Sequence, residues 1–170
     1  MEPKEQLYEG KAKKVFTTDD PELLIVAYKD DATAFNGLKK GTIVGKGVIN
    51  NKMSNRLMAM LEKNGIPTHF VKELSDREAL VKKVQIVPLE VIVRNISAGS
   101  FAKRYGVEEG IVFEQLTFEF SYKNDARGDP LLNTSHALAL KLATAQEIET
   151  IRTYALKVNE LLKAFWLSCG

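Results

Sequence analysis

The chain has 170 residues, 45% hydrophobic and 27% charged, with a formal net charge of +2 at pH 7. Such a chain buries a core, as one domain or two small lobes sharing a cleft, and it has no basic excess for nucleic acid or an anionic membrane. A single cysteine, Cys169, excludes an intrachain disulfide framework and a cysteine-ligated zinc cluster, and the charged opening MEPKEQLYEG and the lack of any long apolar run leave a soluble cytoplasmic protein as the expectation.

In chain order, QLYEG and KKVFTT predict a β-hairpin around Gly10, since aromatic and β-branched residues alternate with lysine. PELLIVAYKDD holds an apolar run too short for a helix and predicts a central strand ending at Asp30 and Asp31. ATAFNGLKKGTIVG has three glycines and no sustained period, the pattern of a loop. Ile49, Met53, Leu57, Met60 and Leu61 then recur at helical spacing, and Gly65 and Pro67 supply the stop signal. THFVKEL and ALVKKVQIV are strands about the turn-like SDRE. Pro88 interrupts before the strand LEVIVRNI, which makes QIVPLE the expected hinge between a β-rich lobe, 1–86, and a second lobe, 87–170. SFAKRYG predicts a short helix closed by Gly106, and LTFEFSY a strand. Thr144 and Glu147 form a capping box opening a last helix with the apolar face Ile148, Ile151, Ala155, Val158, Leu162, Phe165 and Trp166. The class is α+β, a twisted antiparallel sheet with one packed helix followed by a mixed part. Too little chain lies between strands for the repeated crossovers of a doubly wound sheet.

Several segments concentrate charge. GKAKKVF lacks the G-x-x-x-x-G-K-[ST] pattern of a P-loop, but Lys11, Lys13 and Lys14 surround Gly10. On a strand Lys11 and Lys13 share a face and can clamp an anion while Val15 covers an apolar ring; equally, solvated lysines protect an edge strand. In VRNISAGS, Arg94 leaves a buried strand and is followed by Asn95, Ser97, Gly99 and Ser100. That suits bidentate gripping of phosphate or carboxylate, and it also suits an N-cap serine beside an ion-paired arginine. YKNDARGDP crowds Lys123, Asp125, Arg127 and Asp129 into one loop, as phosphoryl or acyl transfer would use and as a solvated turn would show. Asp30 and Asp31 diverge on a strand, which makes them poor joint magnesium ligands and suits a turn cap. His69, in the strand THFVKEL, and His136, in the loop NTSHAL, have no visible base or metal partner. Met53, Met58 and Met60 lie on the expected helix, and most of this group reads as core filling.

Taken together, YEGKAKKVF, KDDATAFNG, GKGVINNKMSN, GIPTHFV, VPLEVIVRNISAGSFAKRYG and FEFSYKNDARGDPLLN resemble the phosphoribosylaminoimidazole-succinocarboxamide synthase (SAICAR synthetase) family of de novo purine biosynthesis. The likeness runs nearly to KVNELLK. It implies a two-lobed α+β fold with an ATP-grasp-like or kinase-like nucleotide cleft, in which 1–86 is the antiparallel β lobe bearing the nucleotide lid and 87–170 the substrate-binding α+β lobe. The activity implied is a ligase that joins carboxyaminoimidazole ribotide to L-aspartate with ATP, through an activated carboxylate, giving SAICAR, ADP and phosphate.

By the same resemblance, Gly10, Lys11, Ala12, Lys13 and Val15 form the lid over ATP, and Lys82 and Ile86 border the adenine. Arg94 and Ser100 hold the ribotide's phosphate or carboxylate, Lys123 lies near the transferred phosphoryl group, and Asp129 shapes the amine-acceptor region. ATP and Mg2+ are the implied cofactors and the two small molecules the partners, with a homo-oligomer expected and no nucleic acid or membrane. There are two departures. LLNTSHALAL lacks the family's acidic pair before the histidine. After the last helix the family continues into further strands and an acidic motif, whereas AFWLSCG ends this chain, so the second lobe is incomplete relative to the family and the metal ligands are unassigned. A nucleotide-binding fragment without ligase activity, needing another chain for its metal site, is the alternative; an interaction module reusing the fold is a third.

Overall fold

The structure is a computed structural model that describes residues 1–34 and 39–169. The chain divides into two compact units, Met1–Gln85 and Ile86–Gly170.

The first unit contains strands β1 (Gln6–Glu9), β2 (Lys13–Thr17), β3 (Leu23–Tyr28), β4 (Asp31–Ala34) and β5 (Lys39–Thr42), helix α1 (Lys46–Lys63), and strands β6 (Phe70–Ser75) and β7 (Glu78–Lys82). One five-stranded sheet runs β1-β2-β3-β7-β6, antiparallel throughout. The most apolar strand, LLIVAY, takes the centre, where both faces are covered. Val26, Ala79 and Val81 form a core on one face with half-buried Val15, Leu24, Tyr28 and Phe70. Ile25 and Leu80 alternate to the other face and are also buried.

The segment expected as a loop after Asp31 is in part a hairpin, because β4 and β5 pair antiparallel. Its glycine and lysine content offers no alternation from which a strand could be read. Residues 35–38 of that segment lie outside the described residues.

Helix α1 starts after Gly45, which has φ 85°, and ends at Asn64. Its packing differs from the expected apolar stripe. Ile49 is 64% exposed and Met53 39%, while Gly47, Asn51, Asn55 and Leu61 are the buried residues. The reason is a polar seam. Asn51 Nδ2 donates to the Ser75 carbonyl at 2.9 Å, and Asn55 Nδ2 donates to Glu73 at 2.9 Å and to Asn51 Oδ1 at 3.3 Å. At Gly47 a Cβ would stand 2.7 Å from the Tyr28 carbonyl oxygen, so only glycine allows this approach.

The second unit contains β8 (Leu89–Ile96), α2 (Gly99–Tyr105), β9 (Val112–Tyr122), a 3-10 turn at Asp125–Arg127, β10 (Leu131–Leu132), α3 (Thr134–Ala139) and α4 (Ala145–Ser168). Its sheet runs β10-β9-β8, and Leu89, Phe120, Ala137, Ala143 and Ile148 form its core. Both halves of the Thr144–Glu147 capping box are made. Of the expected apolar face of α4, Ile148 is buried, whereas Trp166 is 50% exposed. His136 belongs to α3 rather than to a loop: Asn133 Oδ1 accepts its N–H at 2.9 Å and caps a helix too short to show a period. His69 directly precedes β6, and its carbonyl accepts the Lys82 N–H. Among the described residues no helix is long and apolar enough to cross a membrane.

Candidate functional site

In the first unit the charged groups gather at the β1–β2 connection. The Gly10 N–H donates to the Lys13 carbonyl at 2.9 Å, closing a tight turn. A Cβ on Gly10 would stand 2.8 Å from the Tyr8 hydroxyl, so a larger residue there requires the exposed Tyr8 ring to move. Lys11 lies in the turn, before β2 begins, so strand alternation places Lys13 with Val15 and leaves Lys11 outside the pattern. Both lysines are exposed, and Val15 is half-buried opposite Val26. The Ala12 carbonyl accepts the Lys29 N–H at 2.8 Å, which ties the turn to the end of β3.

Lys82 closes β7 and donates from Nζ to the Thr68 carbonyl at 3.3 Å. His69 links the two lysine positions electrostatically. Burial first, then the charge of Lys13, push its imidazole below the ordinary histidine value; Glu62 opposes them and Lys82 adds a smaller push downward. Ile86, the first residue of the second unit, is 70% exposed.

Around this turn runs a charge network that local sequence patterns do not reveal. Lys29 Nζ lies 2.6 Å from Glu9 and 2.6 Å from Asp31, and Lys14 lies 3.6 Å from Glu9. The hydrogen bond from Lys29 holds the Glu9 carboxyl below its usual range. Asp30 turns the other way. It accepts Arg77 Nη1 and Nη2 at 2.7 and 2.9 Å, and the N–H groups of Gly47 and Gly45 at 2.8 and 3.2 Å. The two neighbouring aspartates do diverge, and Asp30 fastens the start of α1.

In the second unit Arg94 and Ser100 meet. Arg94 Nη2 donates to Ser100 Oγ at 3.2 Å and Nε to Glu119 at 3.4 Å, and the guanidinium lies 6.0 Å from the Phe101 ring centroid. Arg104 approaches the same Glu119 at 3.6 Å. The arginine thus has an ion pair and a serine contact at once. Ser97 is fully buried and braces the turn after β8, donating to the Glu108 carbonyl at 2.6 Å and accepting the Ile111 N–H at 2.8 Å. Lys123 follows β9 with its backbone bonded to the Pro88 carbonyl and its side chain exposed. Asp129, at φ 47°, accepts the Asn124 N–H at 2.7 Å and closes the loop that presents Lys123. Among the described residues no three His, Cys, Asp or Glu side chains come together as a group that could hold a metal.

The SAICAR synthetase family model matches residues 6–170. A phosphoribosylaminoimidazole-succinocarboxamide synthase of Lachnoclostridium phytofermentans is 65% identical over 170 residues, which is 100% of this chain and 72% of that protein. The crystal structure of the phosphoribosylaminoimidazole-succinocarboxamide synthase from Ehrlichia chaffeensis superposes with a TM-score of 0.94 at 43% identity, covering 98% of this chain and 70% of that one. A SAICAR synthetase in complex with ADP superposes with a TM-score of 0.89 at 44% identity, covering 95% and 68%.

Proposed function

From the premise that the chain belongs to the SAICAR synthetase family, we propose that it works as an ATP-dependent ligase of purine biosynthesis, joining carboxyaminoimidazole ribotide and L-aspartate to give SAICAR, ADP and phosphate. The observation that carries this reading is the ADP-bound relative, which superposes over 95% of the chain.

In this reading the Gly10–Lys13 turn lies over the nucleotide's phosphates, and the ammoniums of Lys11 and Lys13 offset their charge. Val15, beside half-buried Leu24, Tyr28 and Phe70, offers the apolar surface an adenine ring needs, with Lys82 and Ile86 at its border. Arg94, held by Glu119 and touching Ser100, grips the ribotide's phosphate or carboxylate through its remaining donors. A carboxylate oxygen of the ribotide attacks the γ-phosphorus and releases ADP, giving an acyl phosphate; Lys123 offsets the charge in transfer. The aspartate amine then attacks the acyl carbon, loses a proton and expels phosphate, in a region shaped by Asp129.

The described residues contain no group suited to a metal. Mg2+ would enter with the ATP phosphates, which supply most of its ligands in sites of this kind. A cytoplasmic location, assembly into a homo-oligomer and the absence of nucleic-acid partners belong to the same proposal.

The test is product formation from the ribotide, L-aspartate and Mg-ATP, with Lys13→Ala alongside. Turnover lost in the variant, by at least about 100-fold as expected for an electrostatic group at a transferring phosphoryl, supports the ligase. A second reading, a nucleotide-binding chain that needs another polypeptide for its chemistry, starts from the chain's spanning 72% of the Lachnoclostridium phytofermentans relative. No turnover with ADP still bound would select that reading.

A further inference from the structure

The Gly10–Lys13 turn has little beneath it. Tyr8 on one flank is 59% exposed, and Lys11 and Lys13 point into solvent. A tip of this kind depends for its order on the few groups that reach it from outside. Lys29, just past β3, reaches it twice. Its N–H bonds to the Ala12 carbonyl at 2.8 Å. Its ammonium bonds at 2.6 Å to the carboxylate of Glu9, the residue before Gly10, and is held in turn by Asp31 at 2.6 Å. The Lys29 side chain is 21% exposed, while its partners Glu9 and Asp31 are 40% and 50% exposed, so the network is shielded from salt on the lysine side only.

We infer that Lys29 is a positioning residue for the nucleotide-facing turn, through its bond to Glu9; the inference rests on the nucleotide reading of Lys11 and Lys13. The physical argument concerns where the Glu9 charge goes. With Lys29 present, that carboxylate is neutralised on the β3 side of the hairpin. Without it, Glu9 keeps two longer contacts, Lys14 at 3.6 Å and the Gln6 Nε2 donor at 3.5 Å. The less fully neutralised carboxylate then lies one residue from a polyphosphate site. There it repels the ligand or draws Lys11 and Lys13 away from it. The backbone bond to Ala12 survives a side-chain substitution, so replacing Lys29 isolates the ammonium's part.

The experiment is ADP titration of the full chain by calorimetry for wild type, Lys29→Met, Lys29→Arg, and the double variant Glu9→Gln with Lys29→Met. Lys29→Met is expected to weaken ADP by about tenfold, the effect of losing two partly shielded ion pairs together. Lys29→Arg restores most of the affinity. The double variant also recovers, because the under-neutralised Glu9 carboxylate next to the turn is gone; a merely structural loss would not recover in this way. Affinity within twofold of wild type in Lys29→Met, or a double variant no better than the single one, overturns the inference. If wild type itself binds no ADP, the nucleotide reading fails, and amide hydrogen exchange across residues 6–17 decides the rest. Faster exchange at Gly10 and Lys13 in Lys29→Met supports a positioning role, and unchanged exchange overturns it.

Discussion

Asp30 collects donors from both guanidinium nitrogens of Arg77 and from the amides of Gly45 and Gly47. The Arg77 hydrogen bonds, and then the Gly47 amide, hold its carboxyl far below the usual range. An unfolded chain protonates aspartate near about pH 3.9, so the folded state binds this proton more weakly. The resulting stability is complete above about pH 4 and is lost as pH falls toward the folded value. Asp30→Asn is therefore expected to lower the urea midpoint at pH 7, with a gap from wild type that narrows between about pH 4 and about pH 2. A gap of the same size at pH 3 and pH 7 would refute the assignment. This residue is only partly legible in the sequence. Its divergence from Asp31 follows from strand geometry, but Arg77 lies 47 positions on, and only the sheet register brings it near. Lys29 escapes a local reading for the same reason, because its partner Glu9 is 20 positions back. The residues of the lysine turn, of VRNISAGS and of the YKNDARGDP loop are visible by contrast as motifs, because each is contiguous in the chain.

Among the elements, helix α1 separates what a pattern can tell from what it cannot. Its bounds are legible from helical spacing and the Gly65 stop, yet the face it buries is not. Hydrophobic periodicity points to Ile49 and Met53, whereas the buried positions 51 and 55 are asparagines. A buried amide is economical only where its hydrogen bonds are met, and here the bends of the β6–β7 hairpin meet them. Replacing Asn51 by Ala removes the donor to the Ser75 carbonyl and leaves buried groups unpaired. A loss of about 2 kcal/mol is expected, read from urea denaturation at neutral pH. A change below about 0.5 kcal/mol, the range of an ordinary surface substitution, would show the seam to be incidental. The other elements follow the same division. Long periodic stretches such as α4 and the strands of the main sheet are predictable. The β4–β5 hairpin and the six-residue α3 are not, since each is shorter than the pattern that would announce it.

For the whole molecule, the organisation into two units has a direct experimental signature. Residues 83–86 between β7 and β8 are exposed, with Val84 at 57% and Ile86 at 70%. An exposed connection with few backbone bonds is where proteases cut first. Brief trypsin treatment is expected to cleave after Lys83 before it cleaves within α1 or α4, and mass spectrometry of the first fragments checks it; early fragments ending inside either helix would contradict it. The end of α4 carries a different consequence. Trp166, the single tryptophan of the chain, lines a groove of about 560 Å³ with Asn95, Ile96, Asn159, Leu162 and Leu167. Half of it remains open to water. An indole so placed emits light whose colour follows its hydration. The protein therefore carries a built-in optical gauge of the second unit, one that shifts to shorter wavelength when anything covers that groove and to longer wavelength when α4 comes away, with no dye attached.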